Sequence, residues 1–385
     1  MSQRLAETEH PVAPLELFFD LVFVFGFTQV TTLLSHEPTW TGLGQALLIL
    51  TALWWAWASY AWLTNTIDPS DGIVLAAVLA AMGAMFVAAL AVPEAFGREG
   101  VVFGVSFLVV NVMQATLYAR AAAGSPDLLE AILRIVPWVL GGSALILAAG
   151  FTHDGLRAGL WAAALAVGFF GPAFVGVRGW RVQPAHFVER HGLIVLIAIG
   201  ESLVAIGLGA QSTRLDAGVI VAALLGLLVA TSFWLAYFDY FQIRGRQLLD
   251  NRSGEERIAL ARDVYTYLHL PMIIGIILFA FAMKTTLAHL GDELGTLEAL
   301  ALCGGPALYL FAYVALRFRV SRTFGRGRLA AAIACALLIP VAVVVPAIVA
   351  LALVAAVWVT LHAYELIWWR EARAEARLER MPASP

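Results

Sequence analysis

Residues 15–34 read LELFFDLVFVFGFTQVTTLL, an apolar stretch of the length that a helix needs to cross a bilayer. It carries two carboxylates, Glu16 and Asp20, one helical turn apart. At helical spacing one face is shared by Glu16, Asp20, Phe23, Phe27 and Thr31. Because carboxylates are costly in lipid, we expect that face to contact protein. The pair then marks either an ion or proton site or an ion pair with an arginine, such as Arg134 or Arg190.

A second polar helix follows at residues 187–209, FVERHGLIVLIAIGESLVAIGLG. Glu201, with Ser202 beside it, lies near the middle of this stretch, and Arg190 lies about 16 Å away along the helix axis. Glu201 therefore needs another partner or carries a proton. We expect Asn111 and Gln114 to lie at a compatible depth and to hydrogen-bond it. The alternative is a neutral glutamic acid that locks two helices together.

The composition is that of a membrane protein, with 61% hydrophobic and 13% charged residues, whereas soluble domains have about 25% charged residues. Apolar runs long enough to span a bilayer recur along the chain. They predict an all-α, polytopic transmembrane helix bundle of about twelve spans. These spans are roughly 15–34, 42–63, 72–92, 100–120, 131–150, 156–177, 187–209, 215–237, 264–283, 296–317, 328–345 and 347–369.

Basic residues set the predicted orientation. If the N-terminus is cytoplasmic, most of the 24 Lys and Arg residues fall on the cytoplasmic side. Both termini are therefore predicted to be cytoplasmic. Lys284 is the single lysine, and this arginine bias in an Ala-rich chain indicates a GC-rich bacterial genome and hence the inner (plasma) membrane.

The predicted organisation also includes a weak internal repeat. Two parallel six-helix halves, with a boundary near 178–186, are typical of transporters. The repeat rests on three matches: Trp62-Leu63 with Trp234-Leu235, Asp68 with Asp239, and Glu16 with Glu189. The predicted segments are a cytoplasmic N-terminus 1–14, transmembrane spans 1–8 over 15–237, an amphipathic cytoplasmic loop 238–263, spans 9–12 over 264–369, and a cytoplasmic tail 370–385.

The sequence offers little support for a disulfide, a metal site or an enzymatic site. Cys303 and Cys335 lie in apolar runs and are interpreted as small core residues, and the histidines show no metal-ligand spacing. His269 precedes Pro271, which frees a backbone carbonyl, but a satisfied core histidine is the favoured interpretation. No nucleotide-binding or hydrolase motif occurs, so we expect no cofactor, no metal, no nucleic acid and no enzymatic activity.

Four motifs resemble the bacterial low temperature requirement A (LtrA) family of multi-pass membrane proteins. They are ELFFDLVFVF at 16–25, AWLTNTIDPSD at 61–71, ERHGLIVLIAIGES at 189–202 and WLAYFD at 234–239. The resemblance implies a membrane protein, without a defined molecular activity. It maps the motif residues of the family onto Glu16, Asp20, Asp68, Asp71, Glu189, Arg190, Glu201, Ser202 and Asp239. Because the family often has an aromatic residue where His191 stands, we discount that histidine.

The leading interpretation is an ion- or proton-coupled secondary transporter or channel, with the acidic residues of spans 1 and 7 lining its path. Its expected partners are the lipid bilayer and a small ion or proton. One alternative is a membrane enzyme that acts on a lipid-linked substrate, with Glu201 as acid or base. Another is a structural or stress-adaptation protein without transport, in which all the acidic residues are paired.

Overall fold

A computed structural model of the chain describes residues 12–67, 72–211 and 213–368. Across these ranges the chain is helical and forms no strand, apart from one isolated bridge between Glu293 and Pro346. The helices are α1 (Pro14–His36), α2 (Trp40–Thr64), α3 (Gly72–Ala91), α4 (Gly100–Ala121), α5 (Pro126–Gly150), α6 (Asp154–Val175), α7 (Pro184–Gln211), α8 (Ala217–Ala236), α9 (Gln242–Asp250), α10 (Gly254–Ala261), α11 (His269–Ala288), α12 (Thr296–Ala299), α13 (Gly305–Ser321), α14 (Arg326–Leu337), α15 (Ile339–Ala342) and α16 (Ala347–Trp368).

Within the described residues, 11 helical segments are long and apolar enough to cross a membrane. The prediction of a polytopic transmembrane helix bundle is therefore confirmed. Predicted span 328–345 is the exception, because it consists of α14, with 12 residues, and α15, with four. The break comes at Leu338, two residues before Pro340, whose missing N–H interrupts a helix. The count of about twelve spans stays a prediction.

Local sequence signals set many of the helix boundaries. Proline occupies the first position of α1, α5 and α7, where its missing N–H costs nothing (Pro14, Pro126 and Pro184). Asp216 caps α8, because its carboxylate accepts the N–H of Val219 at 2.9 Å. Helix α6 ends at Gly176, whose φ of 80° suits a residue without a Cβ.

The chain divides into two compact units that do not follow the order of the sequence. Unit 1 comprises Met1–Gln29, Leu48–Ile194 and Leu249–Ala261, and unit 2 comprises Val30–Leu47, Val195–Leu248 and Arg262–Pro385. Helices α1, α2 and α7 each contribute one part to each unit. In unit 1, helices α3 to α6 pack as successive neighbours, and in unit 2, α11 packs on α13 and α16 packs on α8 and α14. The internal repeat stays a prediction.

The predicted amphipathic loop 238–263 is helical in two short pieces, α9 and α10. Its apolar side chains Leu249, Ile258 and Leu260 are buried. The carboxylates of Glu255 and Glu256 are exposed. The segment thus has an apolar and a charged side, and its place on the cytoplasmic face stays a prediction. The predicted tail, 370–385, lies outside the described residues.

Candidate buried ion-pair cluster

The polar face of α1 is buried, as the cost of carboxylates in lipid predicts. Glu16 is 2% exposed and Asp20 is 1% exposed. The opposite face of the same helix carries exposed apolar side chains, among them Phe18 and Leu21. Both carboxylates therefore face protein and not the lipid side of the helix.

Arg190 of α7 is the cationic centre of a cluster in unit 1. Its Nη1 donates to Oδ2 of Asp20 at 2.9 Å, and its Nε lies 3.6 Å from Oε1 of Glu16. The other oxygen of Asp20, Oδ1, accepts the indole N–H of Trp57 at 2.9 Å. The guanidinium also lies 5.8 Å from the centre of the Trp57 ring. One buried arginine thus holds two carboxylates of the neighbouring helix. These contacts match the ion-pair alternative of the sequence analysis, with Arg190 as the arginine.

Further polar groups surround Glu16 near the start of α1. Nε2 of His186 lies 2.9 Å from Oε2 of Glu16, and the backbone N–H of Ala13 donates to the same oxygen at 2.9 Å. The contact from Ala13 is half of a capping box at the start of α1. Nδ1 of His186 lies 3.1 Å from Nδ2 of Asn65. Asn65 in turn binds both backbone groups of Gln183.

The charge of the cluster depends on the protonation of His186 and of the two carboxylates. The charged or titratable groups that act on Glu16 and Asp20 are Arg190, His186 and the carboxylates themselves. With both carboxylates ionised and His186 neutral, two negative charges face one positive charge. Because an uncompensated charge costs several kcal/mol in a protein interior, the arrangement favours uptake of one positive charge. A proton is the smallest group that supplies it.

Helices α1 and α7 also contribute a polar contact to unit 2. Oγ1 of Thr31 donates to Oε1 of Glu201 at 2.7 Å, and both side chains are buried. Thr31, the last residue of the predicted polar face of α1, thus contacts Glu201. Asn111 and Gln114 are buried in unit 1, where Nδ2 of Asn111 donates to the carbonyl of Phe107 one turn earlier. Their expected hydrogen bond to Glu201 stays a prediction.

The family model for "Bacterial low temperature requirement A protein (LtrA)" matches residues 11–363. The chain belongs to the LtrA family. It is also 33% identical over 310 residues to "Uncharacterized protein RA0937" of Rhizobium meliloti (strain 1021), which covers 77% of this chain and 74% of that protein. The motif that carries Glu16 and Asp20 and the motif that carries Arg190 therefore meet in one buried cluster of an LtrA protein.

The remaining LtrA motif residues differ from one another in burial and in local structure. Glu189 is exposed, which leaves it unlike Glu16, its match in the predicted repeat. Ser202 is fully buried, and its hydroxyl has no hydrogen-bond partner among the described residues. Asp239 lies in a π-helical segment that follows α8, Tyr237–Phe241. Asp68 and Asp71 lie outside the described residues.

His269 is a satisfied core histidine in unit 2, as the favoured interpretation predicts. It is fully buried, and its Nδ1 lies 2.8 Å from the carbonyl of Val264. Its Nε2 lies 2.9 Å from the hydroxyl of Tyr237. Since a carbonyl only accepts, Nδ1 carries the proton and Nε2 accepts from the tyrosine when the ring is neutral.

Three members of the cluster were missed by sequence reasoning. His186 stands four residues before Arg190, so helical spacing alone places both on one face. Asn65 lies inside motif 61–71, in which only the acidic residues Asp68 and Asp71 were considered as functional candidates. Trp57 belongs to a tryptophan-rich stretch that packing explains equally well, and only the tertiary structure shows its hydrogen bond to Asp20.

A second buried ion pair was also missed. In unit 2, Nε of Arg328 donates to Oε1 of Glu365 at 2.6 Å, and Nη1 of Arg328 donates to the carbonyl of Ala236. The guanidinium also stacks 3.8 Å from the centre of the Tyr313 ring. In the sequence, Arg328 contributed only to the predicted membrane orientation. Its partner, Glu365, is 37 residues away, so no local pattern indicated the pair.

Proposed function

We propose that this LtrA protein is a proton-coupled secondary transporter of the bacterial cell membrane. The cluster of Glu16, Asp20, His186 and Arg190 exchanges the coupling proton. The observation that carries the proposal is the ratio of two buried carboxylates to one buried arginine. Ionisable groups inside a membrane protein are typical of proton and ion pathways.

The second buried ion pair serves as a comparison, because it joins two helices with equal numbers of carboxylates and arginines. Arg328 and Glu365 are matched one to one, with His362 a further 3.8 Å from the carboxylate. A lock between α1 and α7 would likewise need only one of Glu16 and Asp20. The extra carboxylate supports an exchangeable proton over a purely structural role. Glu201, which binds Thr31, is the second protonatable group that we assign to the path on α7.

Proton binding can be tested before the transported substrate is known. Purified protein in liposomes on a solid-supported membrane should give a transient current after a pH jump, because a proton enters a buried site. Glu16→Gln and Asp20→Asn should each reduce this transient at least about tenfold, because each removes the surplus charge. Protein-free liposomes provide the baseline.

Glu365→Gln is the matched control, because it removes a buried carboxylate that is already balanced by Arg328. It should keep the current even if it lowers stability. The same liposomes, loaded with a pH-sensitive dye, can then be screened with gradients of inorganic cations and small organic solutes. Equal currents from Glu16→Gln, Asp20→Asn and the parent protein would refute the proposal, as would the absence of any pH-jump current in the parent protein.

A further inference from the structure

We propose that His186 is the group that takes up the proton, and that Asn65 is the positioning residue that keeps His186 neutral beforehand. The inference rests on the proposed function only for the claim that this proton is the coupling proton. The tautomer of His186 follows from four hydrogen bonds in unit 1, and proton binding can be measured without transport.

The side-chain amide of Asn65 has a single orientation that suits its neighbours. Its Oδ1 accepts the backbone N–H of Gln183 at 2.7 Å, and its Nδ2 donates to the carbonyl of the same residue at 3.1 Å. A flipped amide would place two donors and two acceptors face to face. The backbone of Gln183 therefore determines which atom of Asn65 faces His186.

That orientation determines the protonation of His186. Nδ2 of Asn65 is a donor, so Nδ1 of His186, at 3.1 Å, must offer its lone pair. The proton of the neutral ring then lies on Nε2, which donates to Oε2 of Glu16 at 2.9 Å. His186 is thus held as the neutral Nε2–H tautomer, and the cluster keeps its surplus negative charge.

Uptake of a proton changes one bond in this network. The proton adds to Nδ1 of His186, no covalent bond breaks, and Nε2 continues to donate to Glu16. The charged groups around the resulting imidazolium are Glu16 from α1, Arg190 from α7 and Asp20 behind Arg190. Asn65, which directly follows α2, faces the ring with its side-chain amide. The net charge of the cluster rises from −1 to zero, and only the hydrogen bond from Asn65 is lost.

The lost hydrogen bond links protonation to a helix contact. Asn65 directly follows α2, and Gln183 directly precedes α7. Once Nδ1 carries a proton, it repels Nδ2 of Asn65, and Asn65 cannot turn away without giving up both bonds to Gln183. Proton uptake should therefore loosen the contact between the end of α2 and the start of α7, which is the kind of movement that a coupled transporter needs.

Nitrogen-15 NMR of histidine-labelled protein tests the assignment. The chain has 8 histidines, and the His186 signals can be assigned by their loss in His186→Gln. At neutral pH, His186 should be the Nε2–H tautomer, and on acidification it should become an imidazolium in a one-proton step. His269 is the internal control, because its contacts require the opposite tautomer, Nδ1–H.

Two substitutions at Asn65 test its role. Asn65→Asp places an acceptor opposite Nδ1, so the population of His186 with a proton on Nδ1 should rise at least about tenfold relative to the population without it. Asn65→Leu removes the donor without adding charge, so neutral His186 should populate both tautomers. Neither change should alter the signals of His269. If Asn65→Asp does not fold, the tautomer mixture in Asn65→Leu still decides the matter.

The outcomes separate this inference from the proposed function. A His186 that is Nδ1–H at neutral pH, stays uncharged throughout acidification, or ignores both Asn65 substitutions would overturn the proton site alone. A His186 that titrates as expected in a protein without any pH-jump current would overturn proton coupling and leave the proton site standing. Parallel shifts of the titration and of the current in Asn65→Asp would support both.

Discussion

At the scale of single residues, Arg190 has the largest structural role in the cluster. It is fully buried and binds Asp20 at 2.9 Å, Glu16 at 3.6 Å and the face of Trp57. Removing one member of a buried ion pair leaves the other charge without compensation, whereas removing all members can be nearly neutral. The contributions of these residues to stability should therefore be strongly non-additive.

We expect Arg190→Met to lower the free energy of unfolding by about 3–5 kcal/mol, because two buried carboxylates lose their cation. Adding Glu16→Gln and Asp20→Asn should recover part of that loss, since no charge is then left unpaired. Thermal unfolding in detergent at constant pH measures both variants. A triple variant that is less stable than Arg190→Met alone would contradict this account.

Thr31→Val should cost about 1 kcal/mol of stability, because it removes the hydrogen bond to Glu201 and leaves a buried carboxyl oxygen without that donor. The matched control is Thr360→Val, whose hydroxyl is exposed and bonds only the carbonyl of Ala356 in its own helix. The control should stay within about 0.5 kcal/mol of the parent. Equal losses in the two variants would argue against a specific contribution from Thr31.

At the scale of helices, close packing depends on glycine at a few crossing points. A Cβ on Gly275 of α11 would lie 2.5 Å from the carbonyl oxygen of Gly305 in α13. In unit 1, a Cβ on Gly104 would lie 2.6 Å from Cα of Leu147. Helices in membranes gain stability from such close approach, because lipid provides no hydrophobic drive between them.

Gly275→Ala should destabilise the protein by about 1–3 kcal/mol, because the added methyl group meets backbone atoms that cannot move aside. Gly83→Ala is the matched control, since its Cβ would meet nothing within 4 Å. This control should be neutral or stabilising by up to about 1 kcal/mol, as alanine favours the helix. Both can be measured by thermal unfolding in one detergent. Similar losses in the two variants would show that the α11–α13 crossing tolerates a side chain.

At the scale of the whole molecule, the number of crossings decides on which side of the membrane the chain ends. The described residues contain 11 segments that are long enough by themselves, and α14 with α15 decides whether the number of crossings is odd or even. An even count places both termini on one side, and an odd count places them on opposite sides. The arginine distribution favours the even count.

We therefore expect α14 and α15 together to cross, and both termini to be cytoplasmic. Fusions of a cytoplasmically active reporter at the C-terminus should be active. Fusions in the loop between α5 and α6 should be active only with a periplasmic reporter. A C-terminus that reports from the periplasm would reduce the count by one span and place α14 and α15 on one side.

The sequence by itself determined the class of the protein, the approximate position of nearly every span and the buried face of α1. These follow from local quantities, namely the length of apolar runs and the helical spacing of Glu16, Asp20 and Thr31. The tertiary structure decided which residues meet. Glu16 lies 170 positions from His186, Asp20 lies 170 positions from Arg190, and Asn65 lies 121 positions from His186. Such distant pairs depend on how the helices pack. The sequence contains several arginines and amides that could pair with a buried carboxylate, and it does not distinguish among them.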